Sequence, residues 1–568
     1  MRRLVSVLVA STVFVACGGA TPTVEVSSSG DTQARSEPQK SDPQWWRDSV
    51  AYEIFVRSFQ DSDGDGVGDF NGITSRLDHL VELGVDLVWL MPIHPSPSYH
   101  GYDVTDYRAV NPQYGTMADF ERLIAEGRKR GIRFIIDWVL NHSSDKHPWF
   151  LESRRGPTLA DNTKNPRYDW YIWRESKPAD TEGWARPWDG ASLWHELSHQ
   201  TGSRYYYGLF WSGMPDLNIA NPAVQAEMEG GMRFWLDKGL AGFRVDAIRY
   251  LIETDNDGEG HEADTAETHN YLKGLRKRFA ESHPEALFVG EIWSSAEDQA
   301  GYYGDGDMLH QAFSFDMASA LVETARDGVR ARLNQTIARS LELFGRDRGF
   351  EAPFLTNHDM PRVARIMNQD QSKLVVAASL MLASPGTPYI YYGEELGMVG
   401  GADRADENKR TPMRWTAEAP HHGFTPSSAT PWWTMTDEAP GIDVATQKAD
   451  ETSLFNHYKR LIAARKSSLA LRRGDQRPAV ASVLSANPPK GLVAFTREAV
   501  GPGKDSPEVV LVLANVDASP LGEVAVELPK GAGTPRVLVS HEAGPATVKD
   551  GRVVVDLGAQ SYAWIALR

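Results

Sequence analysis

Eight short apolar runs, separated by amphipathic segments, constrain the fold of this chain more than any other feature. YEIFVRSF from Tyr52, DLVWLMPI from Asp86, RFIIDWVL from Arg133 and GFRVDAI from Gly242 read as strands, as do LFVGEIW from Leu287, AFSFDM from Ala312, FEAPFLTNHD from Phe350 and PYIYYGEELG from Pro388. Segments such as ADFERLIAEGRKRG between them have helical periodicity. Eight such units predict an α/β fold, a (β/α)8 TIM barrel. Three of the runs stop at carboxylates, Asp246, Glu291 and Asp359. Parallel barrel strands put their carboxyl ends at one rim, so these acids should meet at a common mouth.

Convergent acids are the chemistry of glycosyl transfer. Cleaving a glycosidic bond needs one carboxylate to attack or support the anomeric carbon and a second, kept protonated, to give a proton to the departing oxygen. Arg244 precedes Asp246 by two residues, so both side chains face the same way on a strand and the guanidinium should keep Asp246 ionised, as a nucleophile requires. Glu291 follows Phe288 and Val289 and precedes Trp293, an apolar setting that would raise its pKa and suit a general acid. Taken singly, each acid reads as well as a capping or ion-pair residue.

DWVLNH (Asp137 to His142), GFRVDAIRY, GEIW and FLTNHD resemble, in this order, four signatures of the α-amylase family of glycoside hydrolases, family 13, and MPDLN (Met214 to Asn218) resembles a fifth. The resemblance runs over nearly the whole chain from about Trp45. It implies Asp246 as nucleophile, Glu291 as acid/base and Asp359 as transition-state stabiliser, with Arg244, His142 and His358 contacting the sugar in the attacked subsite. HGYDVTDY supplies Tyr102, whose ring could stack under a glucose, and Asp103, which in relatives bonds the same sugar's hydroxyls. KRTPMRW resembles the RTPMQW of oligo-1,6-glucosidases, where the arginine, here Arg410, pairs with that aspartate to close the non-reducing end; a merely structural role for both fits equally. Ala247 stands where oligo-1,6-glucosidases carry valine and α-1,4-acting relatives a smaller or hydroxylated residue. Arg249 and Tyr250 stand where typical α-amylases hold the leaving-side glucose with lysine and histidine; arginine keeps the donor, tyrosine departs from the pattern. MPDLN itself is a hybrid of QPDLN and MPKLN and resembles an intermediate subfamily that contains α-amylases, some of mixed specificity.

DSDGDGVGDF places Asp61, Asp63 and Asp65 at alternate positions, then the Val67 carbonyl and Asp69. Oxygen-only donors at this spacing suit a hard cation, although Gly72 replaces the glutamate that would complete an EF-hand. Related enzymes bind Ca²⁺ in this loop, so a structural Ca²⁺ remote from bond cleavage is expected, with an ion-free Asp/Gly turn as the alternative. Many α-amylases hold a second Ca²⁺ through the asparagine matching Asn141.

A formal net charge of −17 without a long basic run argues against nucleic acid or an anionic membrane surface as partner. Among 17 Trp, 19 Tyr and 20 Phe, most of which belong to the core, Tyr102 and Trp211 are the candidates for stacking on sugar rings. Arg2 and Arg3, an apolar run from Leu4 to Ala16, and Cys17 before Gly18 and Gly19 read as a targeting segment too short to span a membrane. Phe14 to Cys17 resembles a bacterial lipobox with Cys17 as lipid acceptor, although leucine is usual where Phe14 stands. A plain secretory signal is the alternative. Cys17 is the only cysteine, so no intrachain disulfide can form.

The organisation expected is a signal over 1–17, a flexible tether over 18–43, the barrel over 44–141 and 213–470, an inserted domain over 142–212 and, over 471–568, a C-terminal antiparallel β-sandwich whose short alternating runs VASVLS, GLVAFTRE, EVVLVLANV, EVAVEL, RVVVDL and SYAWIAL read as strands. The function expected is a retaining α-amylase, a monomer of the cell envelope or exterior, acting on starch, glycogen or maltooligosaccharides and touching a membrane only through its anchor. By resemblance to bacterial lipoproteins, Gly18 rather than aspartate after the cysteine would permit outer-membrane sorting in a Gram-negative cell. Retention would bring the carboxyl groups of Asp246 and Glu291 to about 5 Å. An α-glucosidase, a neopullulanase-like enzyme or a transglycosylase would share this frame. A noncatalytic glycan-binding lipoprotein is the alternative from another class; all three acids are present, which argues against it.

Overall fold

Strands β1 (Ala51–Ile54), β2 (Leu87–Leu90), β3 (Arg133–Trp138), β4 (Gly242–Val245), β5 (Leu287–Gly290), β6 (Gln311–Phe313), β7 (Glu351–Ala352) and β8 (Tyr389–Tyr391) pair in parallel in the order β7-β6-β5-β4-β3-β2-β1-β8. A parallel bridge from Phe354 to Tyr389 closes the ring, so the (β/α)8 barrel is as expected. The computed structural model describes Asp42 and residues 44–567, apart from 177–184, 200–201, 255–262, 346–349, 403–404, 480–488 and 529–532. The signal segment, Cys17 and nearly all of the tether lie outside the described residues, as does the run VASVLS. No helix among the described residues is long and apolar enough to cross a membrane.

All residues of β1, β2, β4 and β5 are buried, which is why these runs read as continuous apolar stretches rather than alternating ones. Leu87, Trp89, Ile135, Leu287, Val289, Phe313 and Tyr389 share the barrel interior, plugged at its N-terminal end by Trp45 and Trp46. Val88, Leu90, Phe134, Ile136, Phe243 and Phe288 instead join the core shared with the helices. The two-residue period then carries Glu53, Asp137, Arg244, Asp246 and Glu291 onto the inward face at the carboxyl rim. Each strand is shorter than its apolar run: YEIFVRSF turns at Val56 into a one-turn helix, because a strand lasts only as long as its neighbours supply a ladder.

Helix α1 (Met117–Lys129) opens on a Thr116/Asp119 capping box, and α2 (Pro222–Asp237) on Asn221 followed by Pro222. Helix α3 (Gln371–Ala383) is apolar nearly all round, since it lies between the barrel and the C-terminal sheet, whose Trp564 Nε1 donates to Ser379 Oγ at 3.1 Å. Between β3 and α2 the chain builds a three-stranded antiparallel sheet (Trp173–Arg174, Trp194–His199 and Gly202–Tyr207), tied back by bridges His142 to Asp216 and Tyr171 to Leu217.

After helix α4 (Leu454–Ser467) come β9 (Asp475–Pro478), β10 (Leu492–Ala499), β11 (Glu508–Asn515), β12 (Gly522–Glu527), β13 (Arg536–Ala543), β14 (Thr547–Lys549) and β15 (Arg552–Ala566), all antiparallel in one sheet. The two runs RVVVDL and SYAWIAL are one long strand, β15, whose halves pair with different neighbours: residues 552–557 with β12 and 561–566 with β11. One face encloses Leu511, Leu513, Val524, Val555 and Ile565; the other, with Val512, Tyr562 and Trp564, joins the barrel core.

Candidate active site

Arg244, 1% exposed, is the hub of the carboxyl rim. Its Nη1 donates to Asp246 Oδ1 at 2.5 Å and to Asp137 Oδ1 at 2.8 Å, while Nη2 lies 2.9 Å from Glu291 Oε2. Adjacent strands set this up, with Asp137 on β3 in register with Arg244 on β4. Asp246 follows β4 by one residue, its backbone N–H on the Trp138 carbonyl, and Glu291 follows β5 with its N–H on Val245. Ala247 turns the chain in the left-handed region at φ 46°, which aims its N–H at Glu291 Oε2 from 3.1 Å. The small side chain limits the strain of that conformation.

Burial pushes the Asp246 carboxyl above its ordinary range, with Arg244 pulling the other way. This departs from the expectation that Arg244 would simply hold Asp246 ionised. One guanidinium is shared among three buried acids and fully compensates none, although its shortest contact is to Asp246. Glu291 is pushed up to about 7 by burial, against Arg244 and with Asp246 and Asp359 adding to the rise. The rise agrees with the expectation from sequence, although of the apolar neighbours named there only Val289 shares the inward face: Phe288 faces the helices, and Trp293 is 51% exposed, stacked on Phe315 at 4.7 Å. Asp137 is likewise pushed up to about 7 by burial.

His358 Nδ1 lies 2.5 Å from Glu53 Oε1, and its Nε2 faces both the Tyr102 hydroxyl at 2.8 Å and Asp359 Oδ2 at 3.0 Å. Tyr102 in turn donates to Asp137 Oδ2 at 3.0 Å, so one hydrogen-bonded chain joins Glu53 to Arg244. Against its burial, His358 and Arg410 hold the Asp359 carboxyl well below the usual range. Arg410 donates to Asp359 Oδ1 at 2.9 Å, to the His358 carbonyl at 3.1 Å and to the Tyr99 hydroxyl at 3.2 Å.

The expected Asp103–Arg410 pair is therefore corrected. Asp103, 2% exposed, is held by the Ser96 and Ser98 hydroxyls, the latter at 2.8 Å, which leaves Arg410 to Asp359. His142 is buried beside Phe210, ring centroids 4.9 Å apart, its Nε2 without a hydrogen bond among the described residues; burial lowers its pKa to about 3, so it is neutral. Arg249 is bound to Asp264 and to the Trp293 carbonyl at 3.1 Å, an anchor for the loop after β5. Tyr250 packs on Leu193, Tyr207 and Leu209 of the inserted segment. Trp211 is 46% exposed, as is Trp188 at 52%, the latter near Phe210.

Residues 53–474 match the family model described as alpha amylase, catalytic domain. The chain belongs to the α-amylase family, glycoside hydrolase family 13. Alpha-amylase 3 of Dictyoglomus thermophilum is 38% identical over 76% of this chain and 79% of that protein. An oligo-1,6-glucosidase of Halalkalibacterium halodurans is 34% identical over 76% and 85%. The crystal structure of the α-amylase from H. orenii is similar at TM-score 0.75 and 33% identity, covering 92% of this chain and 99% of that one.

In this family member the loop after β1 gathers Asp61, Asp63 and Asp65, each offering an oxygen within 4.8 Å of the others. Burial raises the Asp65 pKa, and Asp63, Asp61 and Asp69 add to the rise. Such a donor set fits a hard cation. Val67 follows in the same turn, its N–H on Asp65 Oδ1 at 2.7 Å, whereas Asp69 caps the helix Phe70–Ser75 through Gly72 N–H at 2.8 Å. A Cβ at Gly66 would come 1.9 Å from the Thr430 carbonyl oxygen, so only glycine lets the segment after β8 lie this close. Near Asn141, whose Nδ2 donates to Asp216 Oδ2 at 2.9 Å, burial pushes Asp216 up to about 7, and a nearby carboxyl, Glu253, is raised by burial and by Asp216.

Sequence reasoning missed Glu53, Tyr99 and Asp137 as members of this cluster. Asp137 opens the DWVLNH signature, of which only His142 was read as an active-site residue; beyond that, the signal was the inward parity of Glu53 and Asp137 on their strands.

Proposed function

We propose that this glycosidase is a retaining α-glucan hydrolase that cuts internal α-1,4 bonds of starch, glycogen and maltodextrins. The observation that carries the reading is one guanidinium, Arg244, joining Asp246 and Glu291 at the mouth of the barrel. Asp246 attacks the anomeric carbon while protonated Glu291 gives its proton to the departing glycosidic oxygen, leaving a glycosyl ester on Asp246. Glu291, now a carboxylate, takes a proton from water, whose oxygen attacks the same carbon and releases Asp246 with the original configuration. Asp359, ionised and fixed by His358 and Arg410, faces the sugar on which positive charge develops.

Two observations favour attack within chains: Asp103 is not sealed by Arg410, and exposed Trp293 lies two residues past the acid/base, where a leaving-side sugar could stack. The similarity to the Dictyoglomus thermophilum α-amylase supports the same choice. An α-glucosidase is the second reading. It is favoured by the stack of Tyr99 on Trp432 at 5.4 Å beside Arg410, which would wall off the non-reducing end, and by the oligo-1,6-glucosidase relative. A product time course on starch, pullulan and maltoheptaose decides. Mixed α-configured oligosaccharides appearing first from starch support the amylase; glucose released first from short chains transfers the assignment to an α-glucosidase, and panose from pullulan to a neopullulanase-like enzyme.

In this reading Asp61, Asp63, Asp65, the Val67 carbonyl and Asp69 hold a structural Ca²⁺, and Asn141 with Asp216 and Glu253 holds a second. When bound, an ion at the second set would supply positive charge that lets the buried Asp216 and Glu253 ionise. Chelation should lower the melting temperature by several degrees, roughly the effect of about 1–3 kcal/mol, and added Ca²⁺ should restore it. Asp63→Asn should shrink that response; a melt indifferent to chelator and calcium would remove the ions from the proposal. The anchor at Cys17, placing the enzyme in a bacterial cell envelope, is proposed on the targeting segment alone and is tested by metabolic labelling with a fatty acid in wild type and Cys17→Ser.

A further inference from the structure

Strand β1 supplies one inward carboxylate, Glu53, which neither the motifs nor the mechanism above uses. It is 2% exposed, in register with Trp89 on β2 and Tyr391 on β8. Its one ion-pair partner among the described residues is His358, at 2.5 Å from Nδ1. The far side of the same ring meets Asp359 Oδ2 at 3.0 Å. Nε2 also lies 2.8 Å from the Tyr102 hydroxyl, whose own proton goes to Asp137 Oδ2, so that hydroxyl accepts from Nε2–H; a ring that donates from Nδ1 to Glu53 and from Nε2 to Tyr102 beside Asp359 is the imidazolium. A buried carboxylate without a cation would be costly, so Glu53 and His358 sustain each other's charge.

The surroundings fix the ring further. Trp89 meets it edge-on at 5.6 Å, and Tyr102 stacks on it at 5.8 Å. Other charged groups bear on it from neighbouring elements. Arg410 holds its carbonyl, while Asp137, Arg244 and Asp246 stand behind Tyr102. With Glu53 on one side and Tyr102 and Asp359 on the other, both ring nitrogens have acceptors.

We propose that Glu53 is a positioning residue that holds His358 as an oriented imidazolium, and so fixes the Asp359 carboxylate for the sugar. This rests on the proposed role of Asp359 only for its consequence in catalysis. Glu53 never needs to touch substrate. Although burial alone would favour the neutral ring, the flanking carboxylates lift the His358 pKa to about 10, in keeping with a lasting positive charge.

The test is a titration of the ring nitrogens of His358 in ¹⁵N-histidine-labelled protein, assigned with His358→Gln, in wild type and Glu53→Gln. Glutamine keeps the shape and an acceptor for Nδ1–H but removes the charge. Wild-type His358 should stay doubly protonated beyond pH 8. In Glu53→Gln its midpoint should fall by about 1–3 pH units, and kcat on maltoheptaose by about tenfold or more with KM little changed. Glu53→Asp, which restores the charge, should recover part of both. A His358 midpoint unmoved in Glu53→Gln overturns the proposal even if turnover falls, since the role would then be packing. Should the variant not fold, wild type alone decides: titration near the ordinary histidine value overturns it. The titration needs no substrate, so its failure is separate from an error about which glucan bond is cut.

Discussion

Asp246→Asn should lower turnover of starch and maltoheptaose by about four orders of magnitude while the protein folds and binds glycan as before. The amide has no charged oxygen to form the glycosyl ester, yet its shape lets the carbonyl oxygen accept the Arg244 Nη1 hydrogen bond. Asp246 is among the charges that raise Asp137 and Glu291, so its loss lets those carboxyls ionise beside Arg244 and the substitution strands no buried cation. It also removes a carboxyl that burial disfavours, and the melting temperature should hold or rise. Initial rates from new reducing ends, with calorimetric binding of maltoheptaose to the variant, measure both halves. A residual rate within tenfold of wild type would sink Asp246 as nucleophile. Glycan binding without turnover in wild type as well would favour a binding protein instead.

The barrel was legible because its strands are buried on both faces, and such strands announce themselves as unbroken apolar runs. Their lengths were not. Nothing in YEIFVRSF marks the point where β2 and β8 stop supplying partners and the chain turns into a helix. The join of RVVVDL and SYAWIAL into one strand was hidden for the converse reason, since Gly558 between them reads as a break although β15 continues through it. The segment after β8 was the least legible. It is irregular, and its place is set by contacts far along the chain, such as Trp415 Nε1 on the Phe59 carbonyl at 2.8 Å.

In the active site, motifs named residues but not partners. Arg410 was found by its motif and given the partner it has in oligo-1,6-glucosidases, because the Ser96 and Ser98 hydroxyls that satisfy Asp103 carry no motif of their own. Arg249 was read as a sugar donor, whereas its guanidinium is bound to Asp264, fifteen positions away and in no signature. Glu53 was passed over for the opposite reason: a lone acid in an apolar run reads as a solvent-facing residue until the barrel closes around it. Charges were harder still. The two-residue spacing of Arg244 and Asp246 was legible, but not that Asp137 and Glu291 would draw on the same cation.

Glu291→Gln should lower turnover of glucans by about a thousandfold, the usual worth of a general acid, and should do so selectively. A glycoside whose leaving group is an acidic phenol needs no proton to depart. With it the variant should still form the glycosyl ester and then stall, showing a burst, and an external anionic nucleophile such as azide should restart turnover. The pH profile carries the sharper sign. Raised to about 7, Glu291 is protonated below that pH, so wild-type kcat/KM should fall as pH rises through about 7. On the acidic side activity should fall once Asp246, itself raised above its ordinary range, takes up a proton. The variant should lose the alkaline limb and keep the acidic one. Asp137 is also raised to about 7 and shares Arg244 with both acids, so the limb belongs in principle to a coupled cluster. If the alkaline limb survives in Glu291→Gln, Asp137 carries it, and Glu291 is not the acid whose proton the leaving group takes.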